Sequence, residues 1–261
     1  MAINGLSEGM IQIPADIMTS KTIVEAIFGK NVQHMSTEDL TKRVILASTN
    51  EVCLSINKEI IRQLRGEESI YYSADSIVSD DPNDVVNYPT EYLNSLTLSG
   101  MPPHQLILKP GTIVMLIRNL APKKGLCNGT RLIIKSLQRY SITAEILSEC
   151  NRGDVVNIPR IDIAPSDVQL PFTLKRRQFP VIPAFAVTIN KSQGQTYDIV
   201  GIQLNEPVFS HGQLYVALSR SRNRKNIKVS ITPGQQQGKL LKTTDVFTTN
   251  VVYKEIFDNV N

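Results

Sequence analysis

The chain has 261 residues, 41% of them hydrophobic, which is enough apolar material for a folded core of one large or two modest domains. Its 28 Lys and Arg against 24 Asp and Glu leave a net charge of +4, a weak preference for anionic partners that does not amount to a polybasic signature. The three cysteines, Cys53, Cys127 and Cys150, have no C-x-x-C spacing, so they indicate neither a disulfide framework nor a zinc site.

The first ten residues, MAINGLSEGM, contain no basic segment followed by an apolar one and therefore do not predict a signal peptide. No uninterrupted apolar run approaches the ~20 residues that a membrane-spanning helix needs. The cysteine content fits a reducing compartment best. We therefore expect an intracellular, soluble protein without a membrane partner.

Residues 1–78 predict the first part of an α/β domain. An extended segment at 11–14 and a short helix at 22–28 come first, and Ser36 is a candidate N-cap of the next helix. Arg43–Thr49 is typical of a compact buried strand, and Asn50 can cap the helix that follows it. That helix carries apolar residues at helical spacing on one face: Cys53, Ile56, Ile60 and Leu64.

The segment 66–92 is polar and contains two prolines, which predicts an irregular connection, and we place a domain connector at 79–91. Strand-like runs at short spacing then follow within 92–178, separated by turn residues such as Asn128-Gly129 and Asn151-Arg152-Gly153. The five runs are 111–119, 129–137, 141–147, 154–163 and 171–179. Five short antiparallel strands indicate a small β-barrel.

The α/β pattern returns in residues 179–261. A strand at 184–188 leads into the polar segment 188–196, here called the polar loop, and a second strand follows at 198–204. Ser210 and Gln213 form an S-x-x-Q capping box for the next helix, and a strand at 226–231 comes after it. An α/β layer that is interrupted by a barrel and then resumed is typical of a small domain inserted into a larger one.

The polar loop is a candidate binding element. In an open parallel sheet, ligands bind beyond the carboxyl ends of the strands, which is where this loop is predicted to lie. Its hydroxyl, amide and ammonium groups suit phosphate oxygens or base edges. Composition alone fits an ordinary polar turn equally well.

A cluster of cations follows the helix after the capping box. Arg220, Arg222, Arg224 and Lys225 fit the favourable interaction of cations with the C-terminal end of a helix dipole. Arg220 lies one turn beyond the apolar residues Leu214 and Ala217 and could be held at the edge of a cleft. A fixed guanidinium in that position suits a developing phosphate charge in phosphoryl transfer.

Four blocks of the sequence, and its closing segment, resemble one family. TINKSQGQTYDIVGIQL and HGQLYVALSRSRN resemble motifs V and VI of the Pif-one and Helitron-type DNA helicases, which are 5′-to-3′ members of superfamily 1. RVILASTNEVCLSIN resembles their motif IV region, and PGTIVMLIRNLAPKKGLCNGTRLII is similar to their inserted domain 2B. The closing NVVYKEIF is similar to the end of the Helitron-type branch. The resemblance implies a RecA-like domain 2A with a parallel sheet, interrupted by a small antiparallel Src-homology-three-like barrel.

The resemblance also implies roles for individual residues. ATP and Mg²⁺, held between two RecA-like domains in the complete helicase, would drive movement along single-stranded DNA. Arg220 would be the catalytic arginine that reaches the γ-phosphate, and Gln193 and Gly194 would contact the nucleotide. The DNA-binding residues would be Thr49, Asn50, Thr188, Asn190, Lys191 and Ser192. Many relatives have histidine where Asn190 stands, and both side chains can hydrogen-bond. A DNA helicase of this kind is expected in the nucleus.

The motifs of the ATPase half are missing from the sequence. Neither Gly29-Lys30 nor Gly238-Lys239 fits the pattern G-x-x-x-x-G-K-[ST], and no apolar strand ends in Asp-Glu. We therefore expect a C-terminal motor half that binds no ATP or Mg²⁺ alone, does not hydrolyse ATP alone, and needs an N-terminal RecA-like ATPase half as partner. That half could be encoded upstream or could be a separate chain. A non-enzymatic module that binds single-stranded DNA or a partner is the alternative.

Two further groups of residues have simpler interpretations. His34, His104 and His211 are scattered, without carboxylate or cysteine at ligand spacing, so we expect no metal site. Lys175-Arg176-Arg177 is typical of a solvated strand edge, although beside a DNA path it could contact phosphates.

Overall fold

The computed structural model describes residues 2–3, 7–78, 87–147, 151–165 and 170–253, with only the backbone for 2–3. The chain forms two compact units, residues 1–60 with 185–261 and residues 61–184. The predicted domain limits at 78/79 and 178/179 therefore differ from the limits of the units. Residues 79–86 of the predicted connector, and the end of NVVYKEIF after Tyr253, lie outside the described residues.

Strands predominate in the described part of the chain. The first segment contains β1 (Ala2–Ile3), β2 (Met10–Ile13), α1 (Ile23–Phe28), α2 (Thr37–Thr41), β3 (Arg43–Ala47) and α3 (Asn50–Gln63). The middle segment contains β4 (Ser69–Tyr72), β5 (Ala74–Val78), α4 (Thr90–Ser95), β6 (Gln105–Leu108), β7 (Ile113–Leu116), β8 (Arg131–Leu137), β9 (Ser141–Ile146), β10 (Val155–Pro159), β11 (Ile161–Ile163), β12 (Thr173–Gln178) and β13 (Val181–Pro183). The last segment contains β14 (Ala186–Thr188), β15 (Ile199–Leu204), α5 (Gln213–Leu218), β16 (Ile227–Ile231), β17 (Gln237–Leu240) and β18 (Val246–Thr249).

The first unit is built on a four-stranded sheet in the order β14-β3-β15-β16, in which the neighbouring strands are parallel. Val44, Ile45, Leu46 and Ala47 of β3 are all fully buried, as expected for a strand covered on both faces of a parallel sheet. Four further strands of this unit, β1-β17-β18-β2, form a second sheet that the sequence pattern did not indicate beyond the extended segment at 11–14.

The predicted helix at 22–28, the Ser36 cap and the apolar face of α3 are confirmed, whereas the predicted Asn50 cap is not. The hydroxyl of Thr22 accepts a hydrogen bond from Glu25 N at the start of α1, and the hydroxyl of Ser36 accepts one from Asp39 N at the start of α2. The predicted apolar face of α3 is buried, with Ile60 at 0% exposure. The helix begins at Asn50 and Thr49 O accepts the first bond from Cys53 N, so Asn50 is not the cap.

Asn57 of α3 completes the edge of the parallel sheet. Its buried side chain accepts hydrogen bonds from Phe185 N and Ala186 N and donates one to Ala186 O, at 2.7–3.0 Å. Because β14 is an edge strand, these bonds satisfy backbone groups that no neighbouring strand pairs. The polar loop that follows β14 therefore starts from a fixed backbone.

The capping box predicted for the helix after the polar loop is wrong. Gly212, with φ of 70°, occupies the N-cap position of α5, and no side chain caps this helix. The helix begins at Gln213, whose side chain makes other contacts. A glycine suits this position because a φ near 70° is costly for residues with a Cβ.

The second unit is mostly antiparallel. Its largest sheet has the order β10-β9-β8-β7-β13, a second has the order β11-β12-β5, and β4 pairs with β6. The predicted run 154–163 splits at Arg160 into β10 and β11, which belong to different sheets. The segment 66–92 is not wholly irregular, because β4, β5 and the start of α4 lie within it. The chain as a whole has a mixed α/β fold with parallel and antiparallel sheets.

The prediction of a solvated edge at 175–177 is wrong for its central residue. Lys175 and Arg177 are partly exposed and pair with Asp162, but the Arg176 side chain is fully buried. Arg176 donates to both carboxylate oxygens of Asp75, at 2.6–3.0 Å, and to carbonyl oxygens between residues 93 and 102. Arg176 is therefore an internal cross-link between β12, β5 and the segment that contains α4. No helix in the described part of the chain is long and apolar enough to cross a membrane.

Candidate functional site

The polar loop lies at the carboxyl edge of the parallel sheet, as its sequence predicts. β14 and β3 are parallel neighbours, and Thr188 pairs with Ala47. Thr49 and Asn50, which follow β3, therefore emerge at the same edge as the polar loop, which follows β14. The structure thus brings together the two segments that carry the predicted DNA-binding residues, all within the first unit.

The polar loop is folded by its own hydrogen bonds. Ile189–Ser192 form a 3-10 turn, and the buried hydroxyl of Ser192 donates to Ile189 O at 2.7 Å. Gln195 N donates to Ser192 O at 3.0 Å, and between these residues Gly194 has a φ of 80°. The Ser192 hydroxyl therefore stabilises the turn and does not face solvent.

The predicted site residues differ in exposure. The exposed residues of the loop could contact a ligand directly, whereas the buried ones can act only by holding the loop. Asn50, Asn190, Gln193 and Gly194 are exposed, Thr49, Thr188, Lys191 and Arg220 are half-buried, and Ser192 is buried.

Burial shifts the pKa of both Lys191 in the polar loop and Cys53 in α3. It lowers the pKa of the Lys191 ammonium, an effect that the negative charge of a Cys53 thiolate would partly oppose. Burial raises the pKa of the Cys53 thiol to about 12, so this cysteine stays protonated at neutral pH. The Lys191 ammonium is partly removed from water, which strengthens its attraction to an anion that approaches it.

Arg220 is fixed against the polar loop. Its Nη1 donates to Gln195 O at 3.0 Å and to Ser192 O at 3.4 Å, its Nε donates to Val216 O at 2.8 Å, and its Nη2 donates to Ser219 Oγ at 2.8 Å. The family resemblance implied contacts with both DNA and nucleotide for the polar loop and a contact with nucleotide alone for Arg220. The structure joins them by direct hydrogen bonds.

The end of the polar loop is also tied to the segment after α5. Tyr197 N donates to Arg220 O at 2.9 Å, and Ser221 Oγ donates to Asp198 O at 3.1 Å. The Tyr197 hydroxyl donates to Gln195 Oε1. A displacement of Arg220 would therefore act on the loop through its backbone as well as through its side chain.

Sequence reasoning missed the contact of Gln213 with the polar loop, because Gln213 was interpreted as part of a capping box. Its side chain is buried, with 2% exposure. Its Oε1 accepts from Phe209 N at 3.0 Å, and its Nε2 donates to Asn190 Oδ1 at 3.3 Å. Its position in the sequence, directly before the buried residues Leu214 and Ala217, could have indicated that this polar side chain is buried.

A cleft of ≈ 710 Å³ opens beside Thr49 at the same sheet edge. Glu51, Glu59 and Glu206 line it, together with Thr49. Three carboxylates disfavour phosphate binding in this cleft by charge repulsion. An anionic ligand at this edge is therefore better placed near the polar loop than near the cleft.

The other cations of the cluster lie away from the loop contacts. Arg224 is exposed and pairs with Asp16 at 2.7 Å, and this contact lowers the pKa of the Asp16 carboxyl. Arg222 and Lys225 are exposed. In the described part of the chain, no group of three or more His, Cys, Asp or Glu side chains is arranged to hold a metal ion.

Comparison with known proteins identifies relatives. Residues 91–137 match the family model of the DNA helicase Pif1 2B domain. The chain is 38% identical to human ATP-dependent DNA helicase PIF1 over 130 residues, which are 49% of this chain and 20% of that protein. It is 34% identical to the Xenopus laevis protein over 176 residues, 66% of this chain and 25% of that one.

Solved structures show a similar fold. Bacteroides Pif1 bound to single-stranded DNA superposes with a TM-score of 0.59 at 20% identity, covering 92% of this chain and 53% of that chain. Pif1 helicase from Candida albicans gives a TM-score of 0.58 at 24% identity, covering 74% of this chain and 45% of that one.

The sequence matches show that the chain is similar to ATP-dependent DNA helicases, and the solved structures show a similar fold. Within that class the chain is similar to the Pif1 helicases and matches their 2B domain and part of the surrounding helicase. The chain spans about a fifth to a quarter of the length of the curated relatives described above.

Proposed function

We propose that this chain acts as the C-terminal motor half of a Pif1-type, 5′-to-3′ DNA helicase. Residues 1–78 and 179–261 form the RecA-like domain 2A, residues 92–178 form the Src-homology-three-like barrel 2B, and 79–91 connect them. The antiparallel sheets of the second unit support an inserted domain, and the match at 91–137 lies almost entirely within the proposed 2B. The unit limits at 60/61 and 184/185 favour adding β4 and β5 to the inserted domain.

The observation that carries the proposal is the polar loop at the sheet edge, held from one side by Arg220. Single-stranded DNA binds across this edge through Asn190 and Lys191, with contributions from Thr188, Thr49 and Asn50. Ser192 acts by holding the turn through its buried hydroxyl. The Bacteroides relative was solved bound to single-stranded DNA, which supports this class of ligand.

Nucleotide contact is assigned to Gln193, Gly194 and Arg220. Two hydrogen-bond donors support this assignment, the anchored guanidinium of Arg220 and the exposed amide of Gln193. There is also open space beside Gly194, where an added Cβ meets nothing within 4 Å. ATP supplies the phosphoryl transfer that drives movement, and a Pif1 structure from Bacteroides was solved with ADP-AlF3 and single-stranded DNA. An N-terminal RecA-like half supplies the binding sites for ATP and Mg²⁺. In an intact helicase the protein acts in the nucleus.

Arg220 links the two ligands mechanically. A guanidinium that turned toward a γ-phosphate would weaken its bonds to Gln195 O and Ser192 O, because both are donated by Nη1. Release frees the backbone that carries Asn190 and Lys191. A change in the bound nucleotide thereby alters the affinity of the polar loop for DNA.

The test is reconstitution with the N-terminal ATPase half, either fused or added as a second chain. DNA-stimulated ATP turnover is expected for the reconstituted protein and is expected to be lost in Arg220→Ala. Arg222→Ala is the matched control, because Arg222 is an exposed arginine two residues away. Equal turnover in both variants would contradict the role of Arg220.

A module that binds single-stranded DNA without turnover is the second candidate function. The hydrogen bonds that build the polar loop come from within the first unit, so the loop is formed without an ATPase half. Titration of the chain alone with single-stranded DNA distinguishes the two candidates. Tight binding at physiological salt favours the module, whereas binding that needs the ATPase half favours the motor.

A further inference from the structure

Gln213 has its amide orientation fixed by its neighbours. The backbone N–H of Phe209 can only donate a hydrogen bond, so the side-chain group that faces it must be the oxygen Oε1. The nitrogen Nε2 therefore faces Asn190. Because Nε2 can only donate, Asn190 must present its oxygen Oδ1 to Gln213, 3.3 Å away.

The orientation of Asn190 follows from this chain of contacts. With Oδ1 turned inward to Gln213, the Nδ2 group of the same amide is left for the outer side of the loop, where Asn190 is exposed. The outer side of the polar loop therefore presents the Nδ2 group of Asn190 as a hydrogen-bond donor. Single-stranded DNA presents phosphate and base oxygens, which accept hydrogen bonds, so a donor fits and an acceptor would repel.

We propose that Gln213 is a positioning residue that sets the polarity of Asn190, so that the loop offers an NH₂ donor to the oxygens of single-stranded DNA. This inference rests on the proposed function, because it assumes that DNA binds at Asn190. Gln213 does not touch the DNA. It acts only through the amide orientation of its neighbour.

The decisive variant is Gln213→Glu, which keeps the shape of the side chain and reverses one hydrogen bond. A carboxylate at 213 still accepts from Phe209 N but cannot donate to Asn190. Asn190 then turns its Nδ2 inward and its Oδ1 outward. We expect the affinity for a fluorescently labelled oligothymidylate, measured by anisotropy, to fall about 3- to 10-fold, the range for the net loss of one hydrogen bond.

A double-mutant cycle separates positioning from charge. Asn190→Ala alone is expected to weaken binding by a similar factor, about 3- to 10-fold. In the Asn190→Ala background, Gln213→Glu is expected to cause no further loss, since no amide is left to orient. A loss that persists undiminished in that background would mean that the new charge repels DNA directly, and it would overturn the inference.

Gln213→Met serves as the second variant, since a buried carboxylate can impair folding. It removes donor and acceptor without adding charge, so the Asn190 amide is no longer held in one orientation and binding is expected to weaken about twofold. Parent affinity in a folded Gln213→Met protein, judged by its circular dichroism melting curve, would overturn the inference. Unchanged affinity in Asn190→Ala would instead contradict the proposed DNA site itself.

Discussion

Arg220 donates a hydrogen bond from Nη1 to the backbone oxygen of Gln195, 3.0 Å away, and so joins the end of α5 to the polar loop. Loss of this contact should affect both ATP turnover and the binding of single-stranded DNA. In a protein reconstituted with an ATPase half, Arg220→Ala should reduce ATP turnover by about 10³ to 10⁵, the range for arginine fingers. Arg220→Lys should not restore it, because an ammonium cannot reproduce the planar fork.

In the chain alone, Arg220→Ala should weaken binding to single-stranded DNA, since two loop carbonyls lose their donor. Anisotropy titration checks this expectation, with Arg222→Ala as the control. Equal affinities of the two variants would show that Arg220 does not hold the loop in its binding conformation.

The lowered pKa of Lys191 predicts a pH-dependent affinity for single-stranded DNA. Phosphates attract the charged ammonium, so the contribution of Lys191 is present below its pKa and is lost as the pH rises through it. The loss should begin at lower pH than for an ordinary lysine, because burial lowers this pKa. Lys191→Ala should remove this pH dependence and reduce the salt slope of binding by about 0.7. A pH profile that is the same in parent and variant would exclude Lys191 as a phosphate contact.

The buried pair of Arg176 and Asp75 predicts an asymmetric response to mutation. Asp75→Ala should lower the free energy of unfolding in urea by about 3–5 kcal/mol, because it leaves a buried guanidinium without its counter-charge. Asp162→Ala is the control, since Asp162 pairs with Lys175 and Arg177 at the surface and should cost at most about 1 kcal/mol. Similar losses in both variants would mean that burial does not set the energetics of the Arg176 pair.

Gly201 of β15 predicts a steric effect. A Cβ at this position would lie 2.6 Å from Ile27 and 3.0 Å from Ile23, both in α1. Gly201→Ala should therefore destabilise the protein by about 1–3 kcal/mol, as overpacking does elsewhere. Gly234→Ala, where an added Cβ meets nothing within 4 Å, should be close to neutral. Thermal unfolding of both variants is the measurement, and equal melting temperatures would argue against close packing of α1 on β15.

The purified chain alone should not hydrolyse ATP, because the sequence has no segment of the type G-x-x-x-x-G-K-[ST] to cradle the phosphates. Turnover measured with and without single-stranded DNA checks this, with the reconstituted protein as the positive control. Activity that survives further purification and disappears in Arg220→Ala would refute the prediction.

Several features were predictable because they are encoded over a few residues. Ser36 caps its helix through a residue three positions on, and the apolar stripe of α3 follows from helical spacing. The apolar run around Ile45 indicated a compact buried strand, and the structure buries residues on both of its faces. The polar loop was placed at the carboxyl edge of a parallel sheet because that edge is where such sheets carry their loops.

The sequence by itself determined many of the local elements and the candidate loop, since hydrogen bonds within a turn and apolar periodicity depend on neighbours in the chain. The tertiary structure alone decided which distant groups meet. Arg176 is buried because Asp75, 101 positions away, neutralises it, and Asn57 reaches Ala186 across 129 positions. Gln213 and Asn190 are 23 positions apart, and only folding brings the two amides within hydrogen-bonding distance. A polar side chain looks alike in sequence whether it faces water or a buried partner, because its state depends on where the partner lies in space.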